Sequence, residues 1–198
     1  MTTKYMVHLK PNDNLDQKIR GLISLDRSIE KMPLYYPHST LMIGVFPEKE
    51  EEIIRALETV APRPEFDLRI NSIELFDDNC IVAKLEDKEE VIKLHYDVTK
   101  SLLRHLVFDN FVNIPEQFAE DQQRLIALYE YGSVYSGPFY SPHITLGNYN
   151  SETNVSNFKD LIGEKMFVDG FHLSKKIYDG KEKYFFPVKK FLFNKVPS

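Results

Sequence analysis

YPHSTLMIGVF at residues 36–46 and SPHITLGNYNS at residues 141–151 decide the reading of this chain. Laid over one another, Pro37, His38, Thr40 and Leu41 meet Pro142, His143, Thr145 and Leu146, each pair 105 residues apart. The same offset carries Phe66 and Leu68 onto Phe171 and Leu173 without a gap. A repeat longer than about 50 residues marks duplicated lobes rather than a stacked solenoid. Coincidence is a poor account, because the chain has only 6 histidines and two of them precede threonine by two places, with proline before and leucine after.

Strand geometry turns this pattern into chemistry. Residues i and i+2 of a strand share a face, so His143 and Thr145 point one way while Ile144 and Leu146 point into the core. His38 and Thr40 do the same against Ser39 and Leu41. An imidazole and a hydroxyl ~6.5 Å apart along a strand span a ligand of phosphate size. If the two lobes pack about a two-fold axis, both pairs meet in one cleft, where one ring accepts a proton while the other donates one. Histidine suits that work, with an ordinary pKa near ~6.5. Each threonine hydroxyl can donate to a non-bridging phosphate oxygen, where charge builds in the transition state. The prolines fix the chain direction ahead of each strand.

With PHSTLMIGVF and PHITLGNY, and an order of strands and helices that covers nearly the whole chain, the sequence resembles the 2H phosphoesterase superfamily, the group of 2′-5′ RNA ligase-like proteins and cyclic nucleotide phosphodiesterases. The resemblance implies an α+β fold of two lobes about a central cleft, built from duplicated β-α-β units with pseudo-two-fold symmetry. It further implies a phosphodiesterase that needs neither metal nor cofactor and acts on a 2′,3′-cyclic phosphate or a 2′-5′ linkage. Matched residue by residue, it makes His38 and His143 the catalytic acid and base, in either order, and Thr40 and Thr145 the phosphate ligands. Residues 108–140 read as an insert between the halves, and Gly147–Asn148 stand where relatives often carry a basic or apolar residue. An RNA end, a tRNA-processing product, an ADP-ribose cyclic phosphate and a signalling oligonucleotide all fall within the implied substrate class.

Around the two motifs, periodicity predicts a strand at 5–9 and an amphipathic helix from Leu15 to Ile29, capped by Asn12 or Asp13. A second helix is predicted over about 48–60, with Glu50, Glu51 and Glu52 near its positive start. Strands at 66–76 and 80–86 are expected to join through a turn at Asp77–Asn79. Asp87 with Glu90 resembles a capping box opening a helix to about Leu106. Further helices are expected at 116–129 and 153–162, and two strands within 165–178 and 183–193. The whole reads as one bilobal domain over 1–198, its duplicated segments at about 37–86 and 142–193.

Composition bounds the function. The chain has 198 residues, 42% hydrophobic and 28% charged, ordinary for a globular protein. A formal charge of −5 argues against a surface built to grip long nucleic acid. No stretch of about 18 apolar residues marks a membrane span, and the amino terminus lacks a signal peptide's apolar stretch. Cys80 is the one cysteine and leaves no internal disulfide, which fits the cytoplasm. From Lys165 onward eight lysines face three acids, a local balance of +5, read as solvated hairpin faces or as a basic rim for a small anion.

Aromatic residues crowd both motifs, and Tyr36, Tyr135 and Tyr149 are candidates for stacking a nucleobase. Tyr149 stands at i+6 from His143 and shares its face if the strand runs that far. His8, His95 and His105 read as structural, and so does His172, which faces Asp67 in the duplicate register. Arg124, Lys175 and Lys176 are weighed as phosphate contacts against a plain surface role. Two other functions compete with the enzyme: a non-catalytic binder of a cyclic nucleotide or short oligonucleotide, and a metal hydrolase with His38 and His143 as ligands. The chain carries no His-Glu-x-x-His, cysteine pair, P-loop or dinucleotide fingerprint.

Overall fold

A computed structural model describes residues 2–25, 29–30, 37–47, 49–76, 80–107, 114, 116–149, 155–178 and 183–194. In chain order its elements are β1 (Thr2–Leu9), α1 (Asp13–Leu25), β2 (Ile29–Glu30), β3 (Ser39–Pro47), α2 (Glu50–Glu58), β4 (Phe66–Phe76), β5 (Cys80–Leu85), α3 (Glu89–Leu103), α4 (Gln122–Tyr131), β6 (His143–Tyr149), β7 (Lys165–Val168), β8 (Gly170–Tyr178) and β9 (Lys183–Leu192), with short 3-10 segments at Glu116–Phe118, Gly137–Phe139 and Val155–Leu161. The strands form two sheets, ordered β3-β1-β8-β9 and β2-β6-β5-β4-β7, all of whose pairings are antiparallel. The fold is therefore α+β. Each sheet draws strands from both halves of the chain, so neither lobe is a contiguous piece of sequence.

The pseudo-symmetry is legible in those orders. By sheet position β3 corresponds to β6, β1 to β5, and β8 to β4. The helices cross between sheets: α3, which follows β5, packs on β3, while α1, which follows β1, packs on β6. One apolar core results, joining Leu9, Leu41, Leu57, Leu68, Ile81, Leu94, Ile144 and Phe171 from both sheets and the helices between them. Each such fully buried side chain contributes ~1.5–3 kcal/mol. On α2 the buried set Ile53, Ala56 and Leu57 follows helical spacing, and on α3 Val91, Leu94, Val98 and Leu102 do. Among the described residues no helix is long and apolar enough to cross a membrane.

Several sequence expectations shift. The first helix stops at Leu25, and Ile29 belongs instead to a two-residue strand paired with Tyr149. Asp87 does not cap α3; Lys88 is the N-cap, with no side-chain hydrogen bond there, and Glu89 and Glu90 supply negative charge to the first turn. The helix expected over 116–129 divides into a 3-10 turn and α4, because Asp121 caps the latter by accepting from the Gln123 and Arg124 amides. Gly132, at φ 77°, ends α4 in the left-handed conformation. The turn expected at Asp77–Asn79 lies outside the described residues.

The strand expected within 165–178 is two strands that enter different sheets. β7 pairs with β4, whereas β8 runs between β1 and β9. Gly170 opens β8 at that switch, opposite Leu192, and a Cβ there would run into the Phe191 carbonyl oxygen. Backbone cannot yield as a side chain does. Gly170→Ala is expected to destabilise the fold by ~1–3 kcal/mol, lowering the melting temperature by roughly 2–10 °C in a thermal melt. An unchanged melt would contradict the packing described.

Candidate active site

The first motif sits at the start of β3. Pro37 and Ser39 are buried while His38 and Thr40 are half-buried, the alternation the sequence predicts. Register breaks immediately after Thr40: Thr40 pairs with His8 but Met42 pairs with Val7, leaving Leu41 as the extra residue of a β-bulge. The second motif opens β6 in the same way. Thr145 pairs with Val82 but Gly147 pairs with Ile81, so Leu146 is again the bulged residue. Bulges beside a site re-aim side chains, and here both repeats bulge at the leucine the duplication shares. Across the two sheets β3 and β6 approach to Cα separations within 8 Å, so the two motif strands lie together.

Imidazoles wall the first motif. His8 is fully buried on β1, its ring 5.5 Å from that of His38 and stacked 5.5 Å from that of His172. Its Nε2 meets the Ser174 hydroxyl at 3.0 Å. Burial first, then the neighbouring His38, His172 and Lys10, holds the His8 pKa well below the ordinary imidazole value. His172 is lowered to about 4, by burial and then by Lys190 and Lys10. Both rings are therefore neutral near pH 7, and they back His38 without adding charge. The Thr40 hydroxyl lies 3.9 Å from the Met6 sulfur, a weak contact that a phosphate oxygen would outcompete.

At the second motif His143 Nδ1 lies 2.8 Å from the Ser141 carbonyl oxygen. A carbonyl only accepts, so Nδ1 carries the proton and Nε2 is the nitrogen placed to exchange one. The Phe76 ring meets His143 edge-on with centroids 4.9 Å apart. Lys84 stands opposite His143 on β5.

One buried residue connects the two motifs. His95, on α3, has its Nδ1 2.7 Å from the Leu41 carbonyl oxygen and accepts from the Gly137 amide at Nε2, 2.9 Å. Tyr140 stacks on its ring at 3.8 Å, three residues ahead of His143. Leu41 is the bulge of the first motif, so His95 ties that bulge to the segment that leads into the second. Burial lowers the His95 pKa to about 4, outweighing the Leu41 carbonyl that raises it. The Tyr140 hydroxyl is buried close to that of Ser39, in a contact outside good hydrogen-bond geometry; burial pushes its phenol well up, with Ser39 opposing.

Other sequence candidates fare differently. Tyr36 lies outside the described residues. Tyr135 is exposed and belongs to a cluster in the 108–140 insert, where the Arg124 guanidinium is sandwiched between the Phe118 and Phe139 rings at 4.0 and 4.3 Å and donates to the Val134 carbonyl at 3.0 Å. Tyr135 meets Phe118 edge-on. Arg124 thus fastens the insert rather than reaching either motif. β6 does extend to Tyr149, yet the bulge at Leu146 interrupts the alternation linking position 149 to His143, and Asn148 pairs with Cys80. Of the carboxy-terminal lysines, Lys175 pairs with Glu50, Lys189 with Glu58 and Lys190 with Asp169, which fits solvated hairpin faces. The sequence reading missed His8, His172 and Phe76 as neighbours of the motifs; their contacts come from strand pairings distant in sequence, with no local signal.

The model of the 2′-5′ RNA ligase superfamily matches residues 17–174. No curated protein matches the chain in sequence. Among solved structures, E. coli LigT complexed with NADP+ is similar at 14% identity and TM-score 0.65, covering 98% of this chain and 99% of that one. LigT complexed with 3′-AMP covers the same shares at 14% identity and TM-score 0.66. TT0787 of Thermus thermophilus is 16% identical, with TM-score 0.65 and coverage of 96% and 97%. At these identities the likeness is one of fold.

Proposed function

The chain belongs to the 2′-5′ RNA ligase superfamily, and from that membership we propose that it is a metal-independent phosphoesterase acting on a 2′,3′-cyclic phosphate or 2′-5′ phosphodiester of a nucleotide or RNA end. The observation that carries the proposal is symmetry: His38–Thr40 and His143–Thr145 lie on strands that pair with the corresponding strands β1 and β5, each ahead of a bulge, and the two motif strands meet. That LigT has been crystallised with 3′-AMP, ATP and NADP+ supports a nucleotide ligand. We place the activity in the cytoplasm, since a lone cysteine forms no internal disulfide.

On a cyclic phosphate the reaction is in-line attack. One imidazole takes a proton from water as the new P–O bond forms; the other gives a proton to the ribose oxygen as the old P–O bond breaks. His143 would use Nε2 in either role, its Nδ1–H being committed to Ser141. Thr40 and Thr145 donate to the non-bridging oxygens, whose charge rises in the transition state. Incubating the protein with a 2′,3′-cyclic mononucleotide and with a 2′-5′ dinucleotide, each with and without a strong chelator, tests the proposal. Chelator-resistant formation of a 2′- or 3′-nucleoside monophosphate, or cleavage of the dinucleotide, is expected. Tight binding with no product would favour a nucleotide-binding module, and activity abolished by the chelator would favour a metal hydrolase.

A further inference from the structure

Sheet register brings a cation to the second motif. Lys84 pairs directly with His143 across β5 and β6, and with Ser72 across β5 and β4. Directly paired residues share a face, with Cβ atoms about 4.5–5.5 Å apart. Along β5 Ala83 and Leu85 are fully buried on the core face; on the face of His143 and Thr145, Val82 is fully buried too, and Lys84 is the half-buried residue of the strand. A lysine stem that starts there is long enough to bring its ammonium beside the imidazole.

Among the described residues that ammonium has no hydrogen bond and no ion pair. Glu74 stands in register on the same face, opposite Val82, and its Oε1 accepts from the Ser72 hydroxyl at 2.6 Å. Other lysines of the molecule, such as Lys18, Lys175 and Lys189, have found carboxylates. An ammonium with no carboxylate of its own is open to an anion arriving from outside.

The pseudo-symmetry repeats the arrangement. His8 pairs with Thr40 as Val82 pairs with Thr145, and Lys10 and Lys84 each lie two residues further along the corresponding strand direction. Lys10 is close enough to His8 and His172 to lower the pKa of both. Lys10 thus lies by the imidazoles behind the first motif, as Lys84 lies opposite the histidine of the second.

We infer that Lys84 is a substrate-binding residue, its ammonium holding the charged oxygens of a nucleotide phosphate at the His143 motif. Lys10 flanks the first motif in the matching place. The inference rests on the phosphoesterase reading for the identity of the anion as phosphate. It does not depend on turnover.

Calorimetric titration of the full chain with 3′-AMP, and with adenosine as the uncharged control, tests it directly. Lys84→Gln is expected to weaken 3′-AMP binding about 10- to 100-fold and to flatten its salt dependence, leaving adenosine binding unchanged, while Lys84→Arg retains most of the affinity. Lys84→Met, which keeps the stem, serves should the glutamine variant fold poorly. Binding of 3′-AMP by Lys84→Gln at wild-type strength and salt dependence, or no measurable binding by the wild type, would overturn the assignment. The two readings part cleanly. Lys84-dependent binding without hydrolysis sinks the enzyme and keeps the lysine; hydrolysis and affinity indifferent to Lys84 do the reverse.

Discussion

His143→Ala and His38→Ala each reduce kcat on a 2′,3′-cyclic nucleotide by ~10²–10⁴-fold, and the double variant is scarcely worse than either. The size follows from what a positioned proton donor or acceptor supplies to bond making and breaking at phosphorus. The lack of additivity follows from their acting as one unit: with no acid to protonate the departing oxygen, a base that activates water gains little. Both positions are half-buried on the exposed side of their strands, so the substitutions remove a reactive group without opening a core cavity. A melting temperature near that of the wild type is part of the expectation. The rate should be bell-shaped in pH, because one imidazole must be neutral and the other charged at the same moment. His143→Ala should lose one limb of the bell and His38→Ala the other, which would reveal which ring is the base. A double variant turning over at the wild-type rate would leave the duplicated motifs without a catalytic role.

The depth to which the sequence disclosed this arrangement varied with the range of the interactions. The His-x-Thr repeats were legible because strand alternation is local: His143, Ile144, Thr145 and Leu146 alternate in exposure as the period of two demands. The bulges at Leu41 and Leu146 were not legible, since a bulge is a property of a pair of strands and appears only once β1 and β5 are known to be the partners. It is also why a count of six residues carries the alternation from His143 to position 149 straight across a bulge. The split of 165–178 had a cue in Gly170, but a glycine within an apolar run does not announce a change of sheet. Least legible was His95. On a helix its spacing gives only a buried polar side chain; its two hydrogen-bond partners, Leu41 and Gly137, lie 54 and 42 residues away.

His95 also underlies the larger of the effects on stability. Stability should fall steadily as pH drops from about 6.5 to about 4, with His95 alone accounting for a loss on the order of 3 kcal/mol. The sign follows from the proton count. Folded His95 has its pKa lowered to about 4 by burial, whereas in the unfolded chain it titrates near ~6.5. Between those values the unfolded state holds a proton that the folded state refuses, so each unit of acidification favours unfolding by ~1.4 kcal/mol. Above pH 6.5 neither state is protonated and the contribution is flat. Fully buried His8, shifted in the same direction, steepens the slope over the same window. Geometry makes the refusal specific: a proton on Nε2 would set N–H against the Gly137 amide, which now donates to that nitrogen. The bond holding the bulge of the first motif to the approach of the second would be lost. Chemical denaturation at pH 7.5, 6 and 4.5 reads the slope. His95→Gln should be less stable at pH 7.5, by ~1–3 kcal/mol for imperfectly replaced buried hydrogen bonds. Its stability should also change less with pH, by about one proton's worth of slope. Because the residue sets the spacing of the motif strands, kcat of that variant should drop while KM for the cyclic nucleotide moves little. Equal wild-type stability at pH 4.5 and 7.5 would show that the ring accepts its proton in place, and a variant with the full wild-type slope would assign the titration to other groups.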